Sequence, residues 1–188
     1  MNAPKYKSHA KINLGLKVVN KREDGYHNID SIFIELNLHD TISFSPYDTF
    51  SLSTNFPDLP DDDSNLVTKA YSLLHPYKAK STPEYKIHVE KKIPIGSGLG
   101  GGSSNAAATL NALNHLWKLN LSLQELEKMG VELGADVPFF IKGGVQLVEG
   151  IGDILTPVDS NMLERYSFLL VVPPIHISTP WAYNALNK

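Results

Sequence analysis

The 188-residue sequence contains no cysteine. Disulfide bonds, thiolate metal sites and cysteine nucleophiles are therefore excluded. Any chemistry must come from lysine, aspartate, histidine or serine side chains, or from a bound cofactor. No apolar run approaches the ~20 residues that a membrane-spanning helix needs, and residues 1–9 are too polar for a signal peptide. These features predict a cytoplasmic protein that has no membrane partner.

A block of basic charge is also missing. Seventeen basic and twenty acidic residues give a formal net charge of −3, and no basic cluster could follow a nucleic-acid backbone. The hydrophobic share of 42% and the charged share of 20% are ordinary for a globular protein. We expect no nucleic-acid partner and infer no obligate protein partner. No residue spacing identifies protein ligands for a metal ion.

The most informative segment is 92–108, KIPIGSGLGGGSSNAAA, which runs from an apolar strand through a glycine-rich loop into an alanine-rich helix. Glycine lets the backbone approach an anion closely, and the first turn of a helix offers unpaired N–H groups at the positive end of its dipole. The segment therefore predicts a site for a polyphosphate. The residues predicted to bind it are Pro94, Ile95, Gly96, Ser97, Gly98, Leu99, Gly100, Gly101, Gly102, Ser103 and Ser104.

The glycines of this loop also fit other patterns in part. Gly96, Gly98 and Gly101 satisfy the dinucleotide fingerprint G-x-G-x-x-G. That fold needs a second parallel strand ending in an acidic residue about 20 positions on, whereas residues 121–127 are typical of a helix start. A Walker A loop is excluded because no Gly-Lys-Ser/Thr follows the glycines. A flexible connector is the remaining alternative, although a linker is rarely followed by so strong a helix start.

Periodic apolar residues predict both strands and helices. Strands are predicted over 6–20, 32–38, 41–44, 84–90 and 167–172, and a hairpin joins 139–141 to 144–148 around residues 142 and 143. Helices are predicted from a cap at Ser64 or Asn65, over 103–117 with Ser103 or Ser104 as a cap, from Ser122 to about Gly134, and over 179–187. Because strands and helices interleave without a regular βαβ rhythm, the α+β class is favoured.

Three segments together resemble the GHMP small-molecule kinases. Residues 94–106 resemble the phosphate-binding motif of that family. Residues 10–16, AKINLGL, with 22–27, REDGYH, resemble its first motif, and residues 133–140, LGADVPFF, resemble the segment that carries the catalytic aspartate. The segments follow the order and spacing of the family over nearly the whole chain. The resemblance implies a kinase that uses ATP and Mg²⁺.

The form of the loop with an extra glycine resembles the branch of the family that phosphorylates a hydroxyl of cytidine diphosphate methylerythritol, in the non-mevalonate route to isoprenoid precursors. The resemblance implies that Asp136 is the general base, with Lys11 as the cation beside it. From the residues alone, a loop aspartate such as Asp136 is more often a cap or turn residue than a catalytic one, and Lys11 would suit a strand edge. The other implied contacts are Asn13 to the substrate, Tyr26, His27, Thr179 and Tyr183 (or Trp181) to its cytidine end, and Asn65 and Lys91 to the adenine.

The resemblance also implies two domains. We expect residues 1–156 to form the N-terminal, ATP-binding domain of the GHMP kinase fold, with a mixed sheet and helices, and residues 157–188 to begin a truncated C-terminal domain. The family's third glycine-rich motif is absent, so weak or no turnover is expected. One alternative is another GHMP kinase, but Tyr26 and His27 argue against a substrate without a nucleobase. The other is a non-catalytic nucleotide-binding module.

Overall fold

The computed structural model describes residues 3–161, 163–173 and 179–186. Within these ranges the strands are β1 (Lys5–Lys21), β2 (His27–Tyr47), β3 (Ser51–Thr54), β4 (Glu84–Glu90), β5 (Val145–Glu149) and β6 (Ile154–Pro157). The helices are α1 (Leu66–Leu74), α2 (Gly101–Leu116), α3 (Leu123–Leu133), α4 (Val137–Lys142) and α5 (Thr179–Asn184). None of the helices in these ranges is long and apolar enough to span a membrane.

One mixed sheet holds all the described strands, in the order β3-β4-β2-β5-β6, with β1 paired to β2. The long strand β2 pairs with β1 along one edge, and with β5 and β4 at successive positions along the other. Only β3 and β4 run parallel. The expected strands 32–38 and 41–44 are parts of β2. The predicted α+β class with a mixed sheet is confirmed.

The main core lies between the sheet and helices α1 to α4. Alternate residues of β4 are buried, as its period of two predicts. They pack with buried residues of β2 and with the apolar faces of the helices. A smaller cluster joins Phe33 of β2 to Phe139 of α4. A third cluster holds Ala10 of β1 against Ile93 and Leu99 of the glycine-rich segment. This third cluster anchors the loop to the sheet.

Two predicted elements are wrong. The hairpin expected around residues 142 and 143 is instead the short helix α4 followed by β5. Pro138 lies in the first turn of α4, where a proline costs no hydrogen bond, and the buried Phe139 and Ile141 fit a helix as well as a strand. The segment 167–172 is not a strand, because it pairs with no described strand, and Leu169 is 90% exposed.

Two helix bounds also differ from the prediction. Helix α2 begins at Gly101 rather than Ser103. Helix α5 ends at Asn184, whereas it was expected to reach residue 187, which lies outside the described residues. The caps of α1 and α3 agree with the sequence. Asn65 caps α1, and Ser122 forms a capping box with Glu125 at the start of α3.

Candidate active site

The glycine-rich loop between β4 and α2 borders an open cleft of about 370 Å³. A volume of this size is typical of small-molecule sites. The loop residues 94–103 line one part of the cleft, and the start of α1 with the preceding residues lines another. All the loop residues predicted to bind phosphate line the cleft except Ser104. The cleft therefore combines backbone-rich and side-chain walls.

The loop conformation depends on glycine. Gly96, Gly98 and Gly100 have φ values of +68°, +75° and +72°, which side chains with a Cβ rarely adopt. A Cβ atom at Gly100 would lie 2.6 Å from Cζ of Phe140, whereas one at Gly98 would meet nothing within 4 Å. Gly100 is therefore required for packing beneath the loop. A Cβ at position 98 would instead project into open space.

The start of α2 corrects the predicted cap. Gly100 occupies the N-cap position without any side-chain hydrogen bond, so neither Ser103 nor Ser104 caps the helix. The hydroxyl of Ser104 is buried and accepts a hydrogen bond from Ser8 at 2.8 Å. The N–H groups of the first turn, at Gly101, Gly102 and Ser103, have no acceptor within an α-helix. These three groups are the available anion donors.

Lys11 and Asp136 form an ion pair, with 3.6 Å between Nζ and Oδ2. The lysine side chain is 7% exposed and the aspartate side chain is 34% exposed. Asp136 lies immediately before α4, where its side chain makes no capping hydrogen bond. The carboxylate is therefore free of the usual structural role of a loop aspartate, and it stays accessible to a ligand.

The surroundings of the Lys11 ammonium fix its position. Nζ donates to Oδ1 of Asn13 at 2.6 Å and lies 4.1 Å from the centroid of the Phe33 ring. Asn13 in turn donates to Ser31 at 3.3 Å. Burial lowers the pKa of Lys11 below its ordinary value, and the negative charge of Asp136 partly opposes this shift.

The ion pair lies beside the beginning of α2. The backbone N–H of Lys11 donates to the carbonyl of Leu99 at 2.9 Å, and a Cβ at Gly100 would be 3.2 Å from Cγ of Lys11. On the other side, a Cβ at Gly134 would be 3.9 Å from Oγ of Ser103. The structure therefore brings both predicted catalytic residues to the positive end of the α2 dipole.

His27 and Tyr183 are a second pair of predicted residues that the structure brings together. The buried ring of His27 lies 5.3 Å from the Tyr183 ring at an angle of 30°, and its Nε2 has no hydrogen-bond partner among the described residues. Burial, and then the charge of Asp136, raise the pKa of Tyr183. Tyr26 and Trp181 are exposed. The side chain of Thr179 lies outside the described residues.

Asn65 and Lys91 both line the cleft, but their polar atoms already have partners. Asn65 accepts from the N–H of Val67 at 2.9 Å and donates to the carbonyl of Pro60 at 2.7 Å. The Lys91 ammonium pairs with the buried carboxylate of Asp40. Asn65 keeps one amide N–H and one carbonyl lone pair beyond these bonds, and Lys91, which also donates to Asn105, keeps one ammonium N–H, so either side chain has a group for adenine.

Sequence reasoning missed three polar residues around the site. Asp40 and Asn105 lie beneath the glycine-rich loop, and Ser31 supports Asn13. Asp40 could have been found from the sequence, because it is a charged residue at a position where the alternating pattern of β2 has apolar residues. Asn105 and Ser31 gave no such signal, because amide and hydroxyl side chains are common on exposed helix and strand faces.

The described residues contain no group of three or more histidine, aspartate or glutamate side chains that could hold a metal ion. Mg²⁺ in phosphoryl transfer is commonly held by substrate phosphates together with one or two carboxylates. The site fits that arrangement, in which the phosphates of the nucleotide would be the main ligands of Mg²⁺. It does not fit a metal bound by protein side chains alone.

Comparison with known proteins agrees with this geometry. The family model for the GHMP kinases N terminal domain matches residues 65–144. The chain is 46% identical over 94% of its length to the 4-diphosphocytidyl-2-C-methyl-D-erythritol kinase of Chlorobium phaeobacteroides, and 45% identical over 96% to that of Alkaliphilus oremlandii. A crystal structure of 4-(cytidine 5'-diphospho)-2C-methyl-D-erythritol kinase matches 97% of the chain with a TM-score of 0.75 and 34% identity.

The chain spans only part of these proteins. It covers 60% of the Chlorobium kinase, 62% of the Alkaliphilus kinase and 64% of the chain in the crystal structure. The similarity includes the glycine-rich loop and the Lys11 and Asp136 segments, since the aligned region is nearly the whole of this chain.

Proposed function

From the membership of this chain in the GHMP kinase family, we propose that it catalyses, or carries the nucleotide site for, ATP-dependent phosphorylation of a hydroxyl of 4-diphosphocytidyl-2-C-methyl-D-erythritol. The observation that carries the proposal is the Lys11–Asp136 ion pair beside the N-terminus of α2. Phosphoryl transfer needs a base, a cation and N–H groups that bind the phosphates of the nucleotide. The names of the similar kinases support the choice of substrate.

In the proposed reaction, the N–H groups of Gly101, Gly102 and Ser103 bind the phosphates of ATP. The substrate hydroxyl attacks the γ-phosphorus, and Asp136 accepts the hydroxyl proton. The bond from the γ-phosphorus to the bridging oxygen breaks, and ADP leaves. The Lys11 ammonium stabilises the negative charge that develops on the attacking oxygen. Mg²⁺, when bound to the nucleotide, would neutralise charge on the β and γ oxygens.

For the substrate we propose a nucleobase site around His27. The unpartnered Nε2 of His27 provides a polar group for a base edge, and Tyr183 or Tyr26 offers a stacking face, an interaction worth about 1–3 kcal/mol per base. Thr179 and Trp181 belong to the same proposal, with Asn13 orienting the hydroxyl end. The adenine site is proposed beside Asn65 and Lys91, which line the cleft.

The experiment is single-turnover transfer of labelled phosphate from ATP to the cytidine-linked substrate, with nucleotide affinity measured separately by calorimetry. We expect Asp136→Asn to lower the transfer rate by about 10²–10⁴-fold and to leave the Kd for a non-hydrolysable ATP analogue within about twofold. The control is Asp159→Asn, which removes the same charge from an exposed loop and should change neither quantity.

Unchanged transfer in Asp136→Asn would refute the role of the base. Nucleotide binding without transfer in the wild type would instead identify the chain as a non-catalytic nucleotide-binding module. Absence of nucleotide binding would overturn the whole proposal. The substrate choice fails if a hydroxyl compound without a nucleobase is phosphorylated as fast as the cytidine-linked compound.

A further inference from the structure

A buried polar cluster lies behind the glycine-rich loop. We call it the Asp40 cluster, and it consists of Ser8, Asp40, Lys91, Ser104 and Asn105. Asp40 is 0% exposed, and a buried carboxylate is costly unless it is paired and hydrogen-bonded. Its partners therefore show what it stabilises.

The Asp40 carboxylate has four donors. Oδ1 accepts the backbone N–H groups of Lys92 at 2.6 Å and Ile93 at 2.8 Å. Oδ2 accepts from the amide of Asn105 at 2.9 Å and from the Lys91 ammonium. A single side chain of β2 therefore joins the residues just before the glycine-rich loop to the helix just after it.

The cluster continues beneath the first turn of α2. Asn105 accepts from Lys91 at 3.1 Å and donates to Ser8 at 2.7 Å. Ser8 donates to Ser104 at 2.8 Å. A Cβ at Gly101 would lie 3.1 Å from the Lys91 ammonium. The polar side chains of the cluster are thus mutually satisfied, which is the condition for a rigid buried network.

We infer that Asp40 is a positioning residue for the nucleotide site, because its carboxylate fixes the loop in the conformation that presents its N–H groups to phosphate. The far end of the loop is fixed by the Lys11 N–H bond to Leu99. A loop ordered before binding loses less conformational freedom when the ligand arrives. This inference rests on the proposed function and adds a residue that touches neither ATP nor the second substrate.

The test must separate positioning from general stability. Removing Asp40 alone would leave the buried Lys91 ammonium without its counter-charge, which is strongly destabilising. Lys91→Met alone would leave the Asp40 carboxylate in the same position, so two double variants that lack both charges are compared with each other. Asp40→Asn with Lys91→Met keeps an oxygen for the two backbone N–H groups. Asp40→Ala with Lys91→Met removes it.

Calorimetry with a non-hydrolysable ATP analogue, well below the unfolding temperature of each variant, gives the nucleotide affinity. We expect the Ala double variant to bind the analogue about tenfold more weakly than the Asn double variant, because only the Asn variant keeps an acceptor for the two backbone N–H groups. Affinity for the cytidine-linked substrate should be equal in both. Amide hydrogen exchange at Lys92 and Ile93 should accelerate only in the Ala double variant.

Equal nucleotide affinity of the two double variants would overturn the inference and leave the proposed function intact. If the Ala double variant bound the ATP analogue and the cytidine-linked substrate more weakly by the same factor, the inference would also be overturned, since Asp40 would then support the fold in general. Failure of the wild type to bind nucleotide would instead overturn the proposed function.

Discussion

The Lys11 ammonium is the residue-scale feature on which the proposed chemistry depends. Burial opposes its charge, whereas Asp136, Asn13 and the face of Phe33 stabilise it. The net result is a lowered pKa. A partly desolvated cation interacts more strongly with developing negative charge than one in water does. The same burial makes Lys11 a measurable contributor to the pH dependence of stability.

We predict that the free energy of unfolding of the wild type increases relative to that of Lys11→Met as the pH rises from the lowered folded pKa of Lys11 toward the ordinary lysine pKa of 10.5. Between the lowered folded pKa and the unfolded pKa, the unfolded chain binds more protons than the native protein, so the free energy of unfolding increases with pH. Urea denaturation of both proteins over this pH range measures the difference. Lys17→Met, at an exposed position of β1, is the control and should show no such trend. A constant difference between wild type and Lys11→Met would contradict a perturbed Lys11.

At this scale, the sequence predicts a contact within one strand better than a contact between distant segments. Asn13 follows Lys11 by two residues in a strand, a spacing that puts both side chains on one face, and the structure joins them by a hydrogen bond. The meeting of Lys11 with Asp136 could be predicted only from the family resemblance, since it depends on the packing of distant segments. Phe140 beneath Gly100 was not predicted, because a close approach of this kind has no signature in a single sequence.

The glycine-rich loop and α2 act as one element. Gly100 takes the left-handed conformation that ends the loop, and the helix dipole begins at the next residue. Asp40 and Lys11 tie the two ends of the loop to the sheet. The element therefore holds its N–H donors in place by backbone geometry, by packing and by the buried Asp40 carboxylate.

Gly100→Ala should lower the free energy of unfolding by about 2–4 kcal/mol, because alanine is strained at this φ and its Cβ would overlap Phe140. The matched variant is Gly102→Ala, where a Cβ would meet only Leu66 at 3.6 Å. Its stability should stay unchanged or rise by up to about 1 kcal/mol. Urea denaturation of the two variants measures the contrast. Equal stabilities would show that the loop does not need glycine at position 100.

Elements with a clear period were predictable, and short apolar runs were not. The alternating apolar residues of β4 fit only a strand with one buried face, and the capping box of α3 fits only a helix start. The run at 139–141 fits a strand or a helix, and packing against α2 and α3 decides for α4. The apolar run at 167–172 has β-forming residues but no strand to pair with among the described residues, so its sequence alone was misleading.

At the scale of the molecule, we propose that residues 1–156 form a domain that can fold by itself. The main core and the sheet, apart from Pro157 at the end of β6, are built within that range. Two described residues beyond position 156 pack against this part of the chain. Leu170 contacts the cluster of Ala10, Ile93 and Leu99, and Tyr183 contacts the cluster of Phe33 and Phe139. No described residue beyond 105 lines the nucleotide cleft.

Removal of residues 160–188 should therefore leave a cooperative unfolding transition that is weaker by about 1–3 kcal/mol, the contribution of two partly buried side chains. Affinity for a non-hydrolysable ATP analogue should be retained, whereas affinity for the cytidine-linked substrate should fall because Tyr183 is lost. Urea denaturation and calorimetry test these expectations. If the shortened chain unfolded without a cooperative transition, the proposed domain boundary would be refuted.

The most direct test of the account is an NMR titration of the ¹⁵N-labelled chain with a non-hydrolysable ATP analogue. We predict that the largest amide shifts occur at residues 98–103, with a second set at Asp136 and Lys11. Shifts centred elsewhere, for example on the second cleft between residues 35–38 and 166–170, would contradict the claim that the start of α2 binds the phosphates beside the Lys11–Asp136 pair.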